Sequence, residues 1–257
     1  MRLATWNING LRARLEFIAL WLKDRKPDVV GFQELKTPTA DFPHDFFTEL
    51  GYHALVHGQK SWNGVAILTR EPAELVTVGL PGEDDFGSRL ITAQVGNEIE
   101  FTTVYCPNGK NVSHDDFPKK LKWYESLISH YSGSGDQRRI LCGDFNIVPK
   151  PLDSWRGEDG DGEVFHTVEE RQRFAGLMDV GLIDLYRYRY PEQGAFSWWD
   201  YRGGSFYRNQ GLRIDFVLGT PAVSEMLKDV TIDRDYRKKK DGLTASDHAP
   251  VFADLEV

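Results

Sequence analysis

Apolar, β-rich runs alternate with helically spaced segments along the whole chain, and this alternation most constrains what it can fold into. Leu3 to Ile8 reads as a first strand. Leu11, Leu15, Ile18, Ala19 and Leu22 recur at helical spacing, so Leu11 to Lys23 reads as a helix that Pro27 ends. Asp28 to Gln33 lacks polar alternation and reads as a buried strand. A short helix around Phe46 to Leu50 stops at Gly51. Gly64 to Thr69, Leu75 to Val78, Leu90 to Val95 and Ile99 to Tyr105 read as strands in hairpin succession, with Val95-Gly96-Asn97-Glu98 as a turn. Phe117 to Tyr131 and Val168 to Val180 are helical, the second closed by Gly181; Arg139 to Cys142 is a strand running into Gly143-Asp144. Arg213 to Leu218 reads as a strand, Ala222 to Leu227 as a helix and Pro250 to Leu255 as the last strand. The expectation is an α+β fold with packed sheets and helices outside, forming one domain over residues 1–257.

Composition removes several classes. At 40% hydrophobic residues the chain can bury a large core, so disorder is not indicated. No apolar run approaches the roughly 20 residues of a membrane helix. The N-terminal residues lack a signal-peptide apolar region. Cys106 and Cys142 each end an apolar stretch and read as reduced thiols of a cytoplasmic protein. The net charge of −8 argues against a nucleic-acid partner unless part of the acidity holds a metal ion. Arg187, Arg189 and the run Arg234 to Lys240 are local basic stretches, and the run reads as a solvated loop rather than a DNA grip.

Polar residues at the ends of apolar strands carry the chemistry. They are Asn7 and Asn9, Glu34, Asp144 and Asn146, Asp215, and Asp247 with His248. One such ending means little, because Asp and Asn are common turn residues. Five of them, all oxygen or imidazole donors without a thiolate, point to one site for a hard cation. Asp144 and Asn146 share a face if the chain there is extended; an Asx-turn is the competing explanation. Ser246-Asp247-His248 offers a ligand and an acid/base group, or simply a capped turn before an edge strand. Asp215, with apolar neighbours on both sides, should be buried and needs a partner, for which His248 is the natural choice.

Six ordered stretches carry a family resemblance: Trp6-Asn7-Ile8-Asn9-Gly10-Leu11-Arg12-Ala13, Pro27 to Glu34, Tyr105-Cys106-Pro107-Asn108-Gly109, Gly143-Asp144-Phe145-Asn146, Gly211 to Asp215, and Ser246 to Pro250. Across essentially the whole chain the sequence resembles the exonuclease III family of DNA-repair nucleases, which includes the apurinic/apyrimidinic (AP) endonucleases. The resemblance implies a four-layer sandwich, two packed mixed β-sheets flanked by α-helices. It implies that Asn7, Glu34 and Asp247 lie at a Mg²⁺ site (Mn²⁺ as a substitute) and that Asp144 positions or deprotonates the attacking water. Asn146 orients that water and stands beside the metal; His248, held by Asp215, binds the scissile phosphate; Tyr105 lies near it. Arg12, Arg89 and Asn108 match positions that contact the DNA backbone. In Phe196-Ser197-Trp198-Trp199-Asp200-Tyr201-Arg202, Trp198 matches an aromatic that lines the sugar pocket, and Arg202 shares this DNA-facing loop. The implied partner is duplex DNA with abasic sites, nicks or recessed or blocked 3′ ends, cleaved by a monomer to leave 3′-hydroxyls. The chemistry is coherent on its own terms: hydrolysis of a phosphodiester needs charge neutralisation, a positioned nucleophile and a stabilised leaving oxygen.

Three departures touch substrate choice. Asn9 stands where many AP endonucleases have Asp, and Leu212 replaces a Trp that some members carry. Phe165, before His166, falls where AP endonucleases typically have a small residue. A bulky group there would obstruct a flipped-out abasic nucleotide and leave an exonuclease specialist. Tyr105-Cys106-Pro107-Asn108 replaces the Asn-x-His-Leu pattern of other phosphodiesterases of the superfamily, such as sphingomyelinases and deadenylases. A non-catalytic binding protein of the same fold is disfavoured, because every candidate metal and base residue is intact.

Overall fold

The computed structural model describes residues 1–96, 99–133 and 137–256. Its strands are β1 (Arg2–Asn7), β2 (Val29–Gln33), β3 (His53–His57), β4 (Val65–Thr69), β5 (Glu74–Val78), β6 (Leu90–Val95), β7 (Ile99–Tyr105), β8 (Arg139–Asp144), β9 (Ile183–Asp184), β10 (Asp215–Gly219), β11 (Leu227–Ile232) and β12 (Val251–Leu255). The helices are α1 (Leu11–Arg25), α2 (His44–Glu49), α3 (Asp116–Tyr131), α4 (Val168–Asp179), α5 (Leu185–Arg189) and α6 (Pro221–Ser224).

Two six-stranded sheets form, in the orders β11-β12-β1-β2-β4-β3 and β5-β6-β7-β8-β10-β9. Each is mixed: β1 and β2 run parallel in the first, β7 and β8 in the second, and the other neighbours are antiparallel. Side chains alternate between two apolar environments. Leu3 and Val29 face the gap between the sheets with Ile140, Cys142 and Val217, whereas Trp6, Val30 and Phe32 pack under Phe17 and Trp21 of α1. Leu141 and Phe216 pack instead under Trp123 and Leu127 of α3. Strands buried on both faces therefore read as unbroken apolar runs, and the layers are helix, sheet, sheet, helix.

Two sequence expectations and one competing alternative need correction. The segment Ala222 to Leu227 is not one helix: α6 stops at Ser224, and Leu227 opens β11, which pairs with β12. β4 and β5 do not form a hairpin, because β4 pairs with β2 and β3 while β5 joins β6 in the other sheet. β12 is no edge strand; it lies between β11 and β1. In each case long-range pairing overrode a local pattern. Asn97 and Glu98 of the expected turn lie outside the described residues.

Candidate active site

β1, β2, β7 and β8 end, and the antiparallel β10 begins, at the same edge of the sandwich. Register aligns the residues at that edge: Asn7 lies opposite Gln33, just before Glu34, and both Tyr105 and Asp215 lie opposite Asp144. Gly143 permits this crowding, since its φ is 146° and a Cβ there would meet the Val104 carbonyl oxygen at 1.9 Å.

The centre is a set of acidic and amide groups. Asn7 Nδ2 donates to Glu34 Oε1 (2.8 Å) and to Asp144 Oδ2 (2.9 Å), tying the two sheets together. Glu34, Asp144 and His248 each bring one ligand-type atom to within 4.8 Å of the others. His248 Nδ1 is 2.9 Å from Asp215 Oδ2, and its Nε2 faces Asp144 Oδ2 at 3.9 Å. Asp215 also accepts from Ser197 Oγ at 2.6 Å. Burial alone would lower the basicity of His248; the adjacent Asp215 carboxylate more than offsets this, by charge and hydrogen bond, and raises its pKa to about 10. Burial pushes the Asp144 carboxyl up to about 7, against the opposing pull of His248. Tyr105 is raised well above an ordinary phenol, first by burial and then by Glu34 and Asp144, and stays a neutral donor.

Asp144 and Asn146 do meet, but not by extended alternation. Asn146 has φ 50°, and its backbone N–H donates to Asp144 Oδ1 at 2.9 Å, which is the Asx-turn. Asn146 Nδ2 donates to the Cys106 carbonyl (3.0 Å), and its Oδ1 accepts from Asn108 Nδ2 (3.3 Å). Asp247 stands to one side of the cluster. Its oxygens accept from Asn9 Nδ2 (2.8 Å) and Trp198 Nε1 (3.0 Å), and residues 197–199 run alongside 247–249 to hold that contact.

The peripheral residues divide. Trp198 is half-buried and faces the site through Asp247, whereas Trp199 is buried against Phe206 and Ala249. Arg89 supports Tyr105, donating to its carbonyl (3.0 Å) with the guanidinium over its ring. Arg12 is exposed and pairs with Asp41, and Arg202 is exposed and pairs with Asp200; neither bonds to the cluster. Phe165 and Trp198 both pack against the buried cluster of Val148, Leu212 and Ile214, which forms one wall with them. His166 is buried and turned to Ser154 Oγ (3.0 Å), so of the pair only Phe165 reaches the wall. The basic run Arg234 to Lys240 is not wholly solvated: Arg237 is buried and donates to the backbone carbonyls of Asp247 and Trp199.

Sequence reasoning missed Lys36, whose Nζ bridges Glu34 Oε2 (2.9 Å) and Asn9 Oδ1 (2.6 Å), and Ser197. A groove of about 990 Å³ extends the site beyond Tyr105 and Asn108, walled by Trp62, Arg89, Lys110 and Lys119.

Two carboxylates from different sheets meeting around an amide form an acidic site suited to a divalent metal ion. Residues 4–248 match the Endonuclease/Exonuclease/phosphatase family. The chain belongs to that family. Within it, it is 36% identical to exodeoxyribonuclease III of Haemophilus influenzae, with all of both chains covered. Two solved structures superpose over all of both chains: the 3′ phosphatase NExo from Neisseria bound to a product DNA hairpin (TM-score 0.95, 37% identity) and an AP endonuclease from Archaeoglobus fulgidus (TM-score 0.94, 31% identity). The chain is thus an enzyme of the exonuclease III and AP endonuclease branch. Among the described residues no helix is long and apolar enough to cross a membrane.

Proposed function

We propose that this protein is a metal-dependent DNA phosphodiesterase of base-excision repair, acting as a 3′-to-5′ exonuclease, an AP endonuclease with 3′-phosphodiesterase activity, or both. One observation carries the reading: the buried Asp215–His248 pair turns Nε2 toward Asp144 in the same cleft as Glu34. Asp144, 3.9 Å from His248 Nε2 and beside Glu34, is placed to act as a general base that takes a proton from water. The His248 imidazolium donates to a non-bridging phosphate oxygen. Tyr105 and the Asn146 amide complete the donors around the phosphate. The donor set is oxygen-rich and lacks thiolates, which fits Mg²⁺, with Mn²⁺ as a substitute. Glu34 and Asp144 would hold the ion, joined by Asn7 through Oδ1 once its amide turns from donating Nδ2 to both carboxylates, with Asn146 and Asp247 close by. Bound there, it supplies charge neutralisation at the phosphate and leaving oxygen. In-line attack leaves a 5′-phosphate and a 3′-hydroxyl.

Duplex DNA would lie across the strand-end edge. Arg12, Arg89, Asn108 and Arg202 would meet its backbone, and Trp198 would line the sugar pocket. The groove beside Tyr105, lined by Arg89, Lys110, Lys119 and Lys122 against Asp85 and Asp116, keeps a small local excess of positive charge on a chain whose net charge is −8. The chain would act as a single domain and a monomer, since one copy supplies every role. A cytoplasmic setting accords with its two buried free cysteines.

A second reading, the exonuclease specialist, is favoured by the packing of Phe165 on the same Val148, Leu212 and Ile214 cluster that Trp198 packs against. Two labelled duplexes with Mg²⁺ and an EDTA control separate the two. Incision at a central abasic analogue establishes AP endonuclease activity; stepwise shortening of a recessed 3′ end without incision establishes the specialist. Cleavage of neither, or cleavage that survives Asp144→Asn, refutes the proposal.

A further inference from the structure

Lys120 of α3 is fully buried, a rare place for an ammonium unless all its protons are used. All three are. Nζ donates to Glu170 Oε1 (2.5 Å), to the Asn146 carbonyl (2.6 Å) and to the Asn108 carbonyl (3.2 Å). The acceptors come from three segments: the first turn of α4, the loop after β8 and the loop after β7. Glu170 is equally buried, and its Oε2 accepts from Thr167 N (3.1 Å) and Thr167 Oγ1 (2.9 Å), closing the cap of α4. The turn before that cap carries Phe165 at φ 74°, with its ring centre 4.9 Å from Lys120 Nζ. Gly109 makes room, since a Cβ there would meet Lys120 Cδ at 3.0 Å.

Net stability does not explain such a pair, because apolar residues of similar volume often serve a core as well. What an apolar residue cannot do is hold two carbonyls from separate loops. We propose that Lys120, held by Glu170, is a positioning residue. It fixes the backbone under Asn146 and Asn108, and so aims their mutually bonded amides at the phosphate. It also ties the Phe165 wall to the same point. This rests on the phosphodiesterase reading given above.

The double variant Lys120→Met/Glu170→Gln removes both charges without stranding a buried carboxylate. It is compared with wild type by thermal unfolding and by kcat and KM on the recessed-3′ duplex. We expect cooperative unfolding, kcat lower by roughly ten- to a hundredfold, as for other residues that orient active groups, and KM little changed. In an Asn146→Ala background the same change should cost kcat clearly less, since only the Asn108 side of the arrangement is left to lose. An unchanged kcat, or an equal loss in that background, overturns the proposal. If the double variant does not unfold cooperatively, Lys120→Gln/Glu170→Gln, with a shorter neutral side chain that cannot reach both carbonyls, takes its place under the same criteria. Independently of activity, the side-chain amide NMR signals of Asn146 and Asn108 should shift in the variant. Unmoved signals overturn the positioning role. A wild-type protein that cleaves no DNA refutes the phosphodiesterase reading and leaves the NMR criterion standing.

Discussion

Asp215→Asn isolates the charge that keeps His248 protonated. Wild-type His248 is raised from 6.5 to about 10 by Asp215 acting against burial. That rise is worth about 5 kcal/mol of preference for the imidazolium in the folded state. Asparagine keeps the size and a hydrogen-bond acceptor but drops the charge, so burial, opposed now only by Asp144 and Asp247, should bring His248 well below 10. Above neutral pH the variant then presents a neutral ring to the phosphate. Losing one charged donor of this kind costs about 3–4 kcal/mol, or roughly 10²- to 10³-fold in kcat. The alkaline limb of the pH–rate profile, set in wild type by loss of the His248 proton near pH 10, should move toward neutral pH. Stability moves with it. A group whose folded pKa is raised contributes fully below its unfolded value and loses that contribution as pH rises through the folded one. Wild type should therefore lose stability relative to Asp215→Asn between about pH 6.5 and 10, by at most about 5 kcal/mol. The assays are kcat against pH, ¹⁵N imidazole NMR and thermal unfolding across that range. An imidazolium still present at pH 8 in Asp215→Asn would refute the reasoning.

Two further expectations concern the metal and the pocket. Glu34→Ala removes a half-buried carboxylate, so divalent-ion affinity measured by calorimetry should fall roughly 10- to 100-fold, with activity partly restored at high Mg²⁺; an unchanged metal dependence removes Glu34 as a ligand. Phe165→Gly relieves a non-glycine φ of 74°, offsetting part of the lost packing, so stability should fall by no more than about 2 kcal/mol. Incision at an abasic site should rise at least about tenfold relative to 3′ shortening, since about 1.4 kcal/mol of steric opposition suffices, and an unaltered ratio assigns the wall no part in substrate choice.

The strand-end residues were legible because a polar group closing an apolar run has few structural excuses. Asp215 shows this best: its neighbours forced burial, and burial forced a partner, which is His248. Partners set by unusual backbone were not legible. Glu34 was read as a strand-end residue but Lys36 was not: their φ of 54° and 53° mean that strand alternation says nothing about whether they meet, yet their side chains bond at 2.9 Å. Lys120 looked like one of several lysines on α3, and only tertiary packing sets it apart from exposed Lys119 and Lys122. Strand β3 went unread because its side chains are only half-buried or exposed, which leaves a weak pattern. Arg237 was hidden in a run of exposed basic residues, and its burial depends on carbonyls contributed by residues 199 and 247.

The two sheets contribute unequal chemistry, and the gap between them becomes a functional dimension. Glu34 and Asn7 come from one sheet; Asp144, Asp215 and Tyr105 come from the other. A metal ion shared by Glu34 and Asp144 would be held at a spacing that neither sheet sets alone. Directly beneath, Gln33 Nε2 reaches across the gap to Thr103 Oγ1 (2.7 Å) and back to Thr5 Oγ1 (2.9 Å). Gly31 lets the sheets close there, since a Cβ would meet the Thr103 side chain at 2.4 Å. Apolar packing alone fixes such a distance loosely, because cores accept volume-conserving swaps with small shifts. Directional hydrogen bonds at the floor of the site fix it more tightly. Placing a polar tie inside an otherwise apolar gap costs desolvation. That cost makes sense at this end of the sandwich, where a shift of about 1 Å between the carboxylates is enough to impair catalysis.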